Sequence, residues 1–173
     1  MESRTKVVGH PLHPILIVFP LGLFGTAVLF DVLQWVDQDG EWSFVGHYMI
    51  GGGIVFGAAA AAAGLRDWTA IPANTRAKRV GAVHGALNVI VMAAFIVSWL
   101  LRRENPARPD TLALVFSFGG GLLSVISGWL GGELVYRLRV GVDENAHLNA
   151  PNSLTTDGQM YTAPPQTHEH EHG

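Results

Sequence analysis

The chain contains no cysteine, which excludes disulfides, thiolate-bound metals, covalently attached c-type haem and Cys-held iron–sulfur clusters. Charge is scarce as well. Asp, Glu, Lys and Arg make up 14% of the 173 residues, well under the roughly 25% of an ordinary soluble domain. Such a chain has too little polar surface to carry its 49% of hydrophobic residues in water. A formal net charge of −3 without a concentrated basic stripe speaks against a nucleic-acid partner. No nucleophile elbow, phosphate-binding glycine loop or HExxH pattern occurs, so catalysis has no positive support and an electron-transfer role is favoured over it. Any bound metal must use His, Asp, Glu or carbonyl oxygen.

Four long apolar runs are present, at about 14–36, 42–65, 80–101 and 111–136. Crossing a hydrocarbon core about 30 Å thick takes roughly 20 helical residues, and each run is long enough. The expected fold is all-α: a polytopic membrane four-helix bundle. A short segment, 1–13, precedes the helical domain at 14–141, and a polar, disordered tail, 142–173, follows it. The first apolar run is of spanning length and reads as an anchor, not a cleaved signal. Arg4, Lys6, Arg66, Arg76, Lys78, Arg79, Arg137 and Arg139 fall on the side of the two termini, and Arg102, Arg103 and Arg108 on the other. Basic residues accumulate inside, so both termini are expected in the cytoplasm and the chain in the cytoplasmic (inner) membrane.

Small residues recur every four positions at Gly53, Gly57 and Ala61, and at Gly120, Ser124, Gly128 and Gly132. Such ridges allow close helix packing, or leave room for a flat macrocycle. Pro20 is expected to bend the first helix. The tail ends in His168, Glu169, His170, Glu171 and His172, a composition that either chelates divalent metals loosely or is simply solvated.

Ionisable residues at bilayer depth cost about 2.5–3.5 kcal/mol each on insertion scales, so they need a partner or a use. They form two layers. On the outer side Asp31 and His47 lie at similar depth on neighbouring helices and are expected to pair. On the inner side stand His10, His13, Asp67, His84 and Glu133. Each helical hairpin begins with a His and ends with an acid, at offsets of 71 residues (His13, His84) and 66 (Asp67, Glu133), which suggests a parallel repeat.

Three chemistries suit the inner layer. His84 with His13 or His10 suits haem b; His13, His84, Asp67 and Glu133 suit a non-haem divalent metal; the same groups suit a proton or ion path. A purely structural reading, with no cofactor, stands beside them: Glu133 precedes Arg137 by four residues, Asp67 adjoins Arg66, and His13 sits at the start of a helix. Asp31 and His47 should not share a ligand sphere with His84.

Residues 7–31, VVGHPLHPILIVFPLGLFGTAVLFD, resemble the signature of a bacterial membrane family catalogued as domain of unknown function 2231. GLRDW at 64–68, the His in VGAVHG at 80–85 and GWLGGELVYRLRVGV at 128–142 are similar to it too. The resemblance implies a four-helix inner-membrane protein whose relatives occur beside Rieske-type redox domains. It implies a histidine layout like that of di-haem membrane cytochromes, with His10, His13, His47 and His84 as ligand candidates. No other span supplies a histidine beside His47, so one haem is the most this sequence supports. The expected function is therefore a small membrane redox module that exchanges electrons with a partner or quinone. A proton- or ion-conducting protein and a structural membrane anchor are the alternatives. The lipid bilayer is the expected surrounding, and a homo-oligomer is left open.

Overall fold

The computed structural model describes residues 1–38 and 40–154. The tail histidines at 168, 170 and 172 lie outside the described residues. Four long helices dominate: α1 (Leu12–Asp37), α2 (Gly40–Ala70), α3 (Arg76–Leu101) and α4 (Thr111–Gly132). All four are long and apolar enough to cross a membrane. The expected spans thus correspond to helices; α1 and α2 run past both ends of their apolar runs, and α3 begins four residues before its own.

Local chemistry explains the boundaries. α1 ends where Gln38 takes a left-handed conformation, φ 60°, and returns its N–H to the Gln34 carbonyl. α3 starts at Thr75, whose hydroxyl accepts the Lys78 N–H at 3.1 Å. α4 runs into a π-helical turn, η1 (Glu133–Arg137), so the fourth rod reaches the length expected of it. Ahead of α1 stands a small antiparallel hairpin, β1 (Lys6–Val7) and β2 (His10–Pro11), turned by Val8 and Gly9 at positive φ.

α1 packs along α2 and α3 along α4; α2 meets α3 more sparingly, and the seam between α1 and α4 is looser still. The amino terminus and the end of η1 meet at one end of the helices. Gly141 N–H donates to the Met1 carbonyl at 2.9 Å, and the Met1 ammonium donates to Arg139 at 3.3 Å. We call this the terminal side, and the end with the α1–α2 and α3–α4 connections the loop side.

The core is thin and central: Phe24, Ala27, Ile50, Val91 and Phe95. Large apolar side chains such as Val18, Leu29, Val55, Val89, Leu122 and Val125 face outward instead. Water would not tolerate so much exposed apolar surface, whereas lipid would. Exposed Trp35 at one end and Trp129 and Tyr136 at the other suit the two interfaces of a bilayer. The small-residue ridges are used in part. Gly53 packs under Phe24, Gly57 under Met92 and Gly120 under Phe95, while Gly128 faces open space and Ala61 is exposed.

Candidate functional site

Buried positions repeat along the chain. Pro20, Phe24, Ala27 and Asp31 on α1 match Val91, Phe95, Ser98 and Arg102 near or on α3, each pair 71 apart (95 minus 24, 102 minus 31) and each member buried. Gly46, Ile50, Gly53 and Ala60 on α2 match Ala113, Ser117, Gly120 and Ser127 on α4, each pair 67 apart (120 minus 53, 127 minus 60). The two hairpins are therefore copies of one packing pattern, the first longer at its tip by four residues (71 minus 67). Residues of α1 and α3 meet where the halves face each other, in three successive layers.

At the terminal side the layer is His13 and His84, 71 residues apart (84 minus 13), their ring centroids 6.4 Å apart and their planes perpendicular. His13 Nδ1 lies 2.8 Å from the Ala60 carbonyl oxygen, and His84 Nδ1 lies 2.9 Å from that of Ser127. A carbonyl only accepts, so each Nδ1 carries a proton, the tautomer in which the neutral ring has its lone pair on Nε2. Glycine lets the rings sit there. A Cβ on Gly64 would stand 2.8 Å from His13 Nδ1, and one on Gly131 would stand 3.3 Å from His84 Cε1. Those glycines occupy equivalent positions in the repeat (131 minus 64 is 67). His84 has further partners: Ser127 Oγ at 3.1 Å from Nδ1, and the Asn88 amide at 3.1 Å from Nε2.

In the middle, Phe24 and Phe95 stack face to face, 3.9 Å between centroids and 5° between planes. Among the described residues this apolar layer separates the two polar ones.

At the loop side Asp31 and Arg102 form a bidentate ion pair with both side chains fully buried, at 2.6 and 2.7 Å. Ser117 Oγ donates to Asp31 at 2.6 Å, and Arg102 Nε donates to Ser98 Oγ at 3.2 Å, which in turn donates to the Ala113 carbonyl at 2.7 Å. The network ties α1 to α3 and α4.

Several expected roles need correction. Asp31 does not pair with His47: Arg102 and Ser117 take its carboxylate, because a guanidinium fork matches both oxygens and an imidazole does not. His47 instead stacks on Trp99, 5.3 Å between centroids, and its buried Nδ1 has no hydrogen-bond partner among the described residues. His10 does not turn inward; it is exposed on β2, with Nε2 3.2 Å from Ser153 Oγ. Asp67 and Glu133 do not join the histidines. Asp67 binds the amino-terminal segment, accepting from Ser3 Oγ, Arg4 N and Thr5 N at 2.7, 2.8 and 3.2 Å. Glu133 pairs with Arg76 at 2.6 Å, not with Arg137. Among the described residues no group of three or more His, Asp or Glu is arranged to hold a metal ion. The separation of the layers is as expected: the 15 residues from His84 to Trp99, against which His47 stacks, rise roughly 22 Å along α3.

Arg102, Asn88, Ser127 and the phenylalanine stack were not among the expected participants. Arg102 was legible as the equivalent of Asp31 at the 71-residue offset, and Asn88 as the residue one turn beyond His84.

Four spanning helices with paired polar layers between matched hairpins define an integral membrane protein with an internal repeat. The chain belongs to the family described as a predicted membrane protein (DUF2231), whose sequence profile matches residues 9–144. No curated protein and no solved structure matches it.

Proposed function

We propose that the protein is a four-helix bundle of the cytoplasmic membrane, both ends inside, that acts as a small redox module holding one haem b or another metal at His13 and His84. The facing imidazoles carry this reading. Two imidazoles bound end-on to one ion at about 2.0–2.1 Å per bond place their centroids roughly 6 Å apart, and 6.4 Å separates them here. Each Nδ1–H rests on a backbone carbonyl, the support that orients a ligating histidine and raises the basicity of its other nitrogen.

The donor chemistry suits haem iron better than a hard-cation centre, since the two side chains that meet here are imidazoles, His84 exchanging its Asn88 contact for the metal, while Asp67 and Glu133 are engaged elsewhere. Gly85 and Gly128, flanking the His84–Ser127 contact in sequence, leave open space where a Cβ would stand. When bound, haem supplies a one-electron couple. This chain's residues supply position and surroundings: the Ala60 and Ser127 carbonyls set the tautomers, and the Phe24–Phe95 stack stands between this layer and the ion pair of the loop side. The same stack favours a redox role over proton or ion conduction, which needs a polar chain from side to side. The basic residues of the terminal side support the inward orientation, in which the site would lie near the cytoplasmic face, within reach of a soluble redox partner and of quinone in the lipid.

A reduced-minus-oxidised visible spectrum of the detergent-purified protein, expressed with ample haem, tests this. Sharp b-type bands are expected. They should survive removal of residues 143–173 and vanish in the His13→Ala/His84→Ala double variant. A flat spectrum from the intact chain, together with no bound metal by elemental analysis, overturns the proposal.

A further inference from the structure

Three buried polar atoms at the loop side have no hydrogen-bond partner among the described residues: Gln34 Oε1, Ser43 Oγ and His47 Nδ1. The three residues are 9%, 0% and 8% exposed. The first hairpin brings them together. Gly64 meets His13, Gly57 meets Pro20 and Gly53 meets Phe24 across it, and the residue numbers of each pair total 77. Those of Gln34 and Ser43 total 77 as well, so the two stand opposite each other, and His47 follows Ser43 by one turn on the same face of α2. Gln34 and Ser43 lie three residues inside the helix ends at Asp37 and Gly40, and His47 lies seven inside, so the group reaches from roughly 4.5 to roughly 10 Å below the loop side. Packing does not require polar atoms there. In the second hairpin the equivalent of His47 is Leu114 (47 plus 67), and those of Gln34 and Ser43 are Asn105 (34 plus 71) and Asp110 (43 plus 67), both exposed on the α3–α4 connection. The first hairpin, longer at its tip, buries its group; the second does not.

A buried polar atom without a partner forfeits its hydration and gains nothing in return. Three at one height point to something that bonds them. We propose that Gln34, Ser43 and His47 wall an internal hydration site, which holds ordered water between α1 and α2. The mixture of groups selects water: a carbonyl oxygen only accepts, a hydroxyl donates and accepts, and an imidazole nitrogen does one or the other. An anion would be repelled by the Gln34 oxygen. A cation would stand near the Arg103 guanidinium, 5.8 Å from the centre of the Trp99 ring on which His47 stacks, with the Asp31 carboxylate already taken by Arg102. Water gives and takes, and a buried one makes about three hydrogen bonds. Solvent is close at hand, since a surface depression of about 320 Å³, lined by Gly40, Glu41, Phe44, Val45 and Ala107, opens beside the first two turns of α2. The site reaches the height of Asp31 and stops there, because the ion pair has its own partners. It joins α1 to α2 through water, where the neighbouring network joins α1 to α3 and α4 through side chains. What His13 and His84 hold has no bearing on it.

The chain has no cysteine, so a single introduced thiol reports on its own surroundings. In full-length Ser43→Cys, reconstituted in phosphatidylcholine vesicles, the infrared S–H band is expected to vanish promptly in heavy water. In Ala27→Cys, equally buried but within the apolar core, it should persist. The unaltered protein supplies a second reading. Hydroxyl radicals released from bound water by X-ray radiolysis should oxidise His47 and leave Phe24 and Phe95, in the apolar layer, untouched. A Ser43→Cys band that lasts as long as that of Ala27→Cys, in a variant that melts with the parent, overturns the proposal. So does a His47 as silent to radiolysis as Phe24 and Phe95, a result that no folding defect of a variant can mimic.

Discussion

The two polar layers occupy equivalent stations of the repeat, yet one is closed and the other is not. At the loop side, the carboxylate of Asp31 receives two guanidinium N–H groups and one hydroxyl, and Arg102 directs its Nε–H to Ser98. At the terminal side, two imidazoles face each other and the lone pair of His13 has no hydrogen-bond partner among the described residues. A satisfied ionic network in an apolar interior holds helices in register and has no capacity left for a ligand. A facing pair in which one imidazole has a ring nitrogen without a hydrogen-bond partner among the described residues is the opposite case. Depth in the membrane alone does not separate a structural polar layer from a functional one; the hydrogen-bond inventory of each group does.

Breaking the closed layer should have the largest effect. Arg102→Ala leaves an ionised Asp31 with 0% exposure and only a serine for company, and loss of one partner of a buried pair costs about 3–5 kcal/mol. Unfolding of the purified protein in a mild detergent should show that loss as a steep fall in midpoint temperature. The double replacement Asp31→Leu/Arg102→Met should recover most of it, because an apolar pair of similar volume is close to neutral. If the single variant is as stable as the parent, the network is not a clamp and the contrast between the layers disappears.

The aromatic layer between them is next. A Cβ on Gly53 would collide with the Phe24 ring, while one on Gly120 would come to 3.0 Å from Phe95. Both alanine variants should destabilise, by about 1–3 kcal/mol for overpacking, and Gly53→Ala more than Gly120→Ala. The reverse order, read from the same melts, would mean that the halves do not share the packing their spacing implies.

Spans, approximate ends and the presence of two ionisable layers were all legible in the sequence, because each follows from apolar runs and their interruptions. The repeat was visible as well, although the offset of 66 between Asp67 and Glu133 misses the packing value of 67 by one residue. At the packing spacing the equivalent of Asp67 is Leu134, so Glu133, the first residue of the π-helical turn, stands one position before the strict equivalence. Partner choice was not legible. Asp31 was paired with the polar residue nearest in the hairpin, His47, because depth counting ranks candidates by height alone. The structure pairs it across the halves with Arg102, which stood just beyond the third apolar run and read as a flanking charge. The fates of Asp67 and Glu133 depended on the amino-terminal segment and the second connection, whose course no periodicity reveals.

On the terminal side Asp67 holds the amino-terminal segment against α2 through three hydrogen bonds. Asp67→Ala should release it, at about 1.5–3 kcal/mol for hydrogen bonds to a charged group. Limited proteolysis should then cut within residues 1–11 faster than in the parent, with the helices still protected. Unchanged cleavage would show that β1 and β2 are held by other contacts.

The smallest effect belongs to the Lys6–Glu2 pair at the same side, which lies on the surface. The hydrogen bond that Lys6 donates to the Glu2 carboxylate raises the Lys6 pKa above its ordinary value of 10.5, against a smaller opposing effect of burial. A raised pKa in the folded chain means that this stabilisation is complete below pH 10.5 and fades as pH climbs through the folded value. Water screens an exposed pair, so Glu2→Gln should leave the melting temperature within error at pH 7. The parent should also show no loss assignable to this pair until the solution is strongly alkaline. A clear drop at pH 7 would instead mean that the amino-terminal segment depends on its surface charges. The terminal side would then be loosened by salt as well as by loss of Asp67, and the contrast with the salt-insensitive network around Asp31 would widen.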